Sequence, residues 1–194
     1  MELLFNIDNY EEKMSSDELT LNETEKKKII NDIAISNVES VEFVNIGAGA
    51  DCMVVMVVIT LLGYEILKAG KYINDGIDGW IKIGNKLKNL FKRNKIISTD
   101  SEGATLLAIE LISQKEKINA FEVMQEDTIN LVDMSGIFPE NKGLAAKPFN
   151  YFVKTINVND ETLYIIGVNS TGEATIIKRY DVSNGFFYIE EIDD

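Results

Sequence analysis

One stretch of the chain has residue types and spacing suited to holding a ligand. Val44-Asn-Ile-Gly-Ala-Gly-Ala-Asp-Cys52 runs from an extended apolar segment, through Gly47 and Gly49, into what reads as a helix start. Glycines at such a turn let the backbone approach a bound group, and the N–H groups of a following helix point at an anion. On this alternative, Gly47, Gly49 and Asp51 are the cofactor-binding residues. The structural account of the same residues is a tight strand-to-helix turn in which the Asp51 carboxylate caps the helix. Cys52 at a helix N-terminus would have a lowered thiol pKa. The chain has no histidine to serve as its base, so Cys52 reads as a small core residue. The carboxylates show no spacing that pairs an acid with a nucleophile.

Locally the stretch resembles the first glycine motif of the methyltransferases. That resemblance covers about nine residues. It implies nucleotide or S-adenosylmethionine-type binding. The sequence then departs from the pattern, with Asp51 and Cys52 standing where a third small residue is usual. The segments that follow read as two successive helices, and the C-terminal half reads as antiparallel strands.

Composition removes other chemistries. With no histidine and one cysteine, zinc sites built on His or several Cys are excluded, as are the Ser-His-Asp triad and an intramolecular disulfide. No catalytic or metal-binding residue is assigned, and no cofactor is expected. The start, Met-Glu-Leu-Leu-Phe-Asn, lacks a basic n-region, so no signal peptide is expected. Cytoplasmic localisation is the corresponding expectation.

The net charge of −13 is unevenly spread. Residues 1–46 carry eleven acidic and four basic side chains, residues 47–95 four and eight, and residues 96–194 seventeen and seven. An acidic surface disfavours direct nucleic-acid binding and suits a protein partner that is itself basic. The basic middle segment is expected to pair with acidic regions of the same chain. Contact with a membrane is the less favoured alternative.

The elements that must position these residues follow from periodicity. Leu3, Phe5 and Ile7 alternate as in a short strand or a loose arm. Asn22-x-x-Glu25 has capping-box spacing and opens a helix over about 23–35. Val41 to Ile46 reads as a strand. Met53 to Leu62 is apolar on all sides and predicts a buried helix, although Val54, Val55, Val57, Val58 and Ile59 leave strand as a local alternative. The charge-free run from Cys52 to Tyr64 is shorter than the ~20 residues needed to span a bilayer. From Ile73 through Ile77, Trp80, Ile81, Gly84 and Leu87 to Phe91, steps of three and four define an amphipathic helix within the segment Tyr72 to Phe91. Its glycines, Gly76, Gly79 and Gly84, suggest close approach of a neighbouring backbone. Thr99-x-x-Glu102 reads as a second capping box, opening a helix to about Gln114. Beyond Ala120 the pattern is strand-like. A hairpin turn is expected at Glu126-Asp127 and a loop over 133–148, and further turns at Asn159-Asp160, Ser170-Thr-Gly172 and Ser183-Asn-Gly185.

The resulting expectation is one α+β domain over 1–194. A mainly antiparallel C-terminal sheet packs against a buried apolar helix and an amphipathic helix. Residues 1–40 form an acidic N-terminal segment with one helix, 41–116 a helical core and 117–194 the antiparallel β region. The functional expectation is a non-enzymatic acidic binding protein acting through protein contacts, such as a small inhibitor or immunity-type protein. The alternatives are nucleotide-type binding through Gly47–Asp51 and a membrane-associated protein using residues 52–91.

Overall fold

The computed structural model describes residues 1–5, 21–33, 35, 37–45, 53–61, 76–130, 150–183 and 188–189. In chain order the elements are β1 (Glu2–Phe5), α1 (Glu23–Ile33), β2 (Val38–Asn45), β3 (Met53–Ile59), α2 (Ile77–Lys92), β4 (Ile96–Thr99) and α3 (Ser101–Ser113). Then come β5 (Phe121–Asn130), β6 (Asn150–Val158), β7 (Thr162–Asn169), β8 (Ala174–Asp181) and β9 (Tyr188–Ile189). The fold is α+β, with two antiparallel sheets ordered β2-β3-β1-β4 and β5-β6-β7-β8-β9.

The largest departure from the sequence expectation is β3. Met53 to Ile59 is a strand, not a buried helix. It lies between β2 and β1, where Val55, Val57 and Ile59 are buried on one face and Val54 is buried on the other. A strand buried on both faces carries the same unbroken apolar run as a buried helix, so periodicity cannot separate them. Stiff β-branched side chains decide for the strand. The segment 41–116 is therefore not a helical core, because β2, β3 and β4 all fall within it or overlap it.

The buried apolar helix is α3. Residues Gly103 to Glu110 and Ile112 are buried all round. The helix packs on β6, β7 and β8, on β1 and β4, and on α2. One apolar cluster thus runs from Leu3 and Val57 through Leu107 and Ile109 to Ile156 and Ile166. The N-cap is Asp100, not Thr99: its carboxylate accepts the Gly103 N–H at 3.0 Å. Thr99 instead belongs to β4, and its N–H donates to the Ser170 carbonyl at 2.9 Å, joining the two sheets. At α1 the expected capping box is present, with Asn22 and Glu25 each accepting the other's N–H, at 3.0 and 3.1 Å.

Helix α2 buries Ile77, Trp80, Gly84, Leu87 and Leu90, the expected stripe displaced by one residue at its end. Phe91 instead lies over Gly172, whose φ of +96° needs glycine. The helix glycines differ in role. A methyl group at Gly84 would run into the Leu106 carbonyl and lie 2.8 Å from Glu110 Cβ, whereas one at Gly79 meets nothing within 4 Å. Close approach to a neighbour therefore holds for Gly84 and fails for Gly79. Gly84→Ala is expected to lower stability by about 1–3 kcal/mol through overpacking against a backbone that cannot yield. Gly79→Ala should raise it by up to ~1 kcal/mol through helix propensity. Opposite shifts of the denaturant midpoint check the pair, and shifts of the same sign would refute the packing.

Internal charge pairing is present on this helix. Lys88 Nζ lies 3.0 and 2.9 Å from the two carboxylate oxygens of buried Glu110 on α3. Loss of Lys88 would remove this countercharge from a buried carboxylate that otherwise accepts from the Gln114 amide, so this lysine is not interchangeable with its more exposed neighbours.

In the second sheet, β5 runs straight through the expected Glu126-Asp127 hairpin turn. Glu126 pairs with Lys154 and Asp127 with Val153, after a register shift between Val123 and Gln125. The β6–β7 turn is as expected, with Asn159 and Asp160 both at φ 57°. The whole of the expected loop over 133–148 lies outside the described residues, as does the Ser183-Asn-Gly185 turn beyond Ser183.

Candidate functional site

A cavity of about 380 Å³ opens where the two sheets meet at the N-terminus of α3. Strand pairing explains one wall. Leu4 sits opposite both Met56 and Ser98, so these three share the face of the first sheet that points away from Leu3, Phe5 and Val57. Glu2 and Val44 also line the cavity. The second wall is the turn from β4 into α3, through Thr99, Asp100 and Ser101. The third comes from the second sheet, through Asn150, the buried Phe152 and the exposed Thr128 that stands opposite it.

Backbone exchange holds the carboxylate side of the cavity in place. Glu2 N–H donates to Asp100 Oδ2 at 2.7 Å, and Asp100 N–H donates to the Glu2 carbonyl at 3.2 Å. Burial pushes the Asp100 carboxyl above its usual range. The Gly103 N–H, the Met1 ammonium and the Glu2 N–H oppose that shift, while Glu102 adds to it. The Met1 ammonium itself bonds to Glu102 at 2.5 Å and to the Ile59 carbonyl at 2.9 Å.

Beside the cavity lies a buried cation. Lys154 is fully buried, and its ammonium donates to Ser101 Oγ and, at 2.6 Å, to Glu126 Oε2. It also stands 5.7 Å from the centre of the Phe152 ring. A serine bonded to a lysine is the geometry of a nucleophile and its base, but a base must first be neutral. The Glu126 carboxylate favours the charged ammonium, and Ser101 is the acceptor in the bond. The trio therefore ties α3 to β6 and β5 and does not activate Ser101.

A second polar group lies further along the sheet. The buried Tyr164 hydroxyl donates to Glu116 at 2.5 Å and accepts from Arg179 Nε at 3.3 Å. Burial and the Glu116 carboxylate raise its pKa, against the pull of Arg179. A phenol held protonated in this way is a structural hydrogen-bond donor.

The cofactor-binding alternative fares differently. Gly47, Gly49 and Asp51 lie outside the described residues. Strands β2 and β3 pair antiparallel up to Asn45 opposite Met53, so the chain leaves the glycine stretch as a strand. The helix expected from Met53, on whose N-terminus the ligand geometry depended, is the strand Met53–Ile59. Sequence reasoning missed Glu2, Asp100, Ser101 and Lys154. Lys154 did carry a signal, since it falls in phase with Phe152, Ile156 and Val158, at an inward position of an alternating strand. The cavity carried none, because its three walls come from segments distant in sequence.

Among the described residues, no helix is long and apolar enough to cross a membrane. Comparison with protein-family models, with curated proteins and with solved structures finds no match to this chain.

Proposed function

We propose that this chain is a non-enzymatic binding protein acting through protein contacts, in the manner of a small inhibitor or immunity-type protein, and that it works in the cytoplasm. The observation behind this proposal is β5. Among the described residues it is a ten-residue strand at the end of the second sheet, and every residue from Met124 to Asn130 is exposed. Met124 is 56% exposed and Ile129 50% exposed. Edge strands offer backbone N–H and C=O groups to an incoming strand, and most proteins keep such edges short or covered. The net charge of −13 favours a basic partner.

Strand addition at β5 supplies affinity through the backbone, while Met124 and Ile129 supply apolar anchors and Asp127 an acidic one. Native mass spectrometry of the protein purified from its own host tests this. A stoichiometric protein complex is expected for the parent. The Asp127→Lys, Ile129→Lys double variant should lose that complex while keeping its melting temperature, because both side chains are exposed. A complex that survives the double change refutes β5 as the docking edge.

A further inference from the structure

The β5 edge and the cavity at the α3 N-terminus meet at one residue. Thr128 stands on β5 directly opposite Phe152 of β6, and of the described residues that line the cavity it alone is exposed. The cavity therefore opens at the end of the second sheet that β5 forms. Its carboxylates are already engaged. Asp100 accepts from the Glu2 and Gly103 N–H groups and lies 3.9 Å from the Met1 ammonium, and Glu2 has an interaction of its own. What is left to fill is a hollow of about 380 Å³ whose apolar walls are Leu4, Val44, Met56 and Phe152.

Strand geometry fixes which side chain of an added strand reaches that hollow. A residue paired with Thr128 across the edge points to the same sheet face as Thr128 and Phe152, because directly opposite residues share a face. Its backbone stands two strand spacings from β6, about 10 Å, so only a long or aromatic side chain reaches the apolar walls. The residues on either side of it point to the opposite face, beside Asp127 and Ile129. Strand β5 carries Glu122, Glu126 and Asp127 and no basic residue, so the position beside Asp127 favours lysine or arginine. A second copy of β5 would instead bring like charges together, which disfavours pairing of the strand with itself.

We propose that the cavity is the side-chain pocket of the docking edge. A basic extended segment of a partner protein pairs with β5 and inserts one large apolar side chain, beside Thr128, toward Leu4, Val44, Met56 and Phe152. This rests on β5 as the docking edge and adds the partner's pattern: a large apolar residue flanked by basic ones. Backbone pairing then supplies affinity, and the pocket supplies specificity.

Titration calorimetry of the full chain with the end-capped peptide Thr-Val-Thr-Lys-Phe-Lys-Thr-Val-Thr tests the proposal. Its side-chain pattern is the same in both directions, so parallel and antiparallel pairing present the same groups. It should bind roughly tenfold or more tightly than the same peptide with a central alanine, through the apolar area that phenylalanine buries. Exchanging both lysines for glutamate should weaken binding roughly tenfold. Val44→Trp, which fills the hollow and leaves β5 unaltered, should bring the phenylalanine and alanine peptides to equal affinity. The Asp127→Lys, Ile129→Lys double variant should bind neither. Equal binding of the two peptides by the parent, lost in the double variant, overturns the pocket and leaves β5 as the docking edge. A phenylalanine preference that survives the double variant, or that persists in folded Val44→Trp, overturns the proposal. So does glutamate-peptide binding as tight as that of the lysine peptide, the absence of binding by any peptide, or a parent already dimeric through β5 before peptide is added. The comparisons made on the parent stay decisive even if Val44→Trp fails to fold.

Discussion

Val55→Asp is expected to cost about 4 kcal/mol or more, while Val58→Asp costs about half that or less. The two residues are three apart, so on a helix they would share a face and respond alike. On β3 they point to opposite faces. Val55 is buried, stands opposite Phe5 and Phe43, and faces the helical side of the first sheet. A carboxylate there meets Phe5 and Phe43 and must either stay charged in the core or unfold its surroundings. Val58 stands opposite Glu2 and Ser40 and is only half-buried. Its replacement meets a like charge at Glu2, a modest penalty at the edge of solvent. Val57→Asp should follow Val55→Asp, since Val57 is fully buried. Urea denaturation of the three variants, with m-values unchanged from the parent, measures the differences. Equal losses at 55 and 58 would overturn the strand.

The second large effect concerns Lys154 and Glu126. Glu126→Ala is expected to cost about 3 kcal/mol, at the lower end of the range for breaking a buried pair, because Glu126 is 35% exposed. The loss arises from what remains, an ammonium at 0% exposure without its carboxylate. Lys154→Met should cost far less, about 1 kcal/mol. Methionine fills a similar volume beside Phe152, and Glu126, at 35% exposure, stays within reach of water. The double variant should therefore be more stable than Glu126→Ala alone. Denaturant midpoints of the three chains check this order. A double variant less stable than either single one would mean that the pair contributes more than its desolvation costs.

Several features were determined by sequence alone. The α+β class, helices α2 and α3 and the run β6–β7–β8 all follow from local signals: apolar steps of three and four, period-two alternation, and turns at Asn159-Asp160 and Gly172. These depend on neighbours within a few residues, and propensity and periodicity report such neighbours directly. The capping box at Asn22 and Glu25 is legible for the same reason.

Tertiary structure decided the rest. Whether Met53 to Ile59 became helix or strand depended on β1, some fifty residues earlier, and on β2 taking up its backbone bonds. An apolar run alone states only that it will be buried. Glu126-Asp127 looked like a turn because two acids interrupt an apolar pattern. It stayed extended because Lys154 lies opposite and takes one of those charges into the sheet. The cavity is the extreme case. Glu2, Asp100 and Phe152 come from the chain's start, middle and last third, and only the packing of α3 between two sheets brings them to one hollow. No local signal encodes such a meeting, because the free energy that creates it comes from burying α3 on all sides rather than from any property of the three residues themselves.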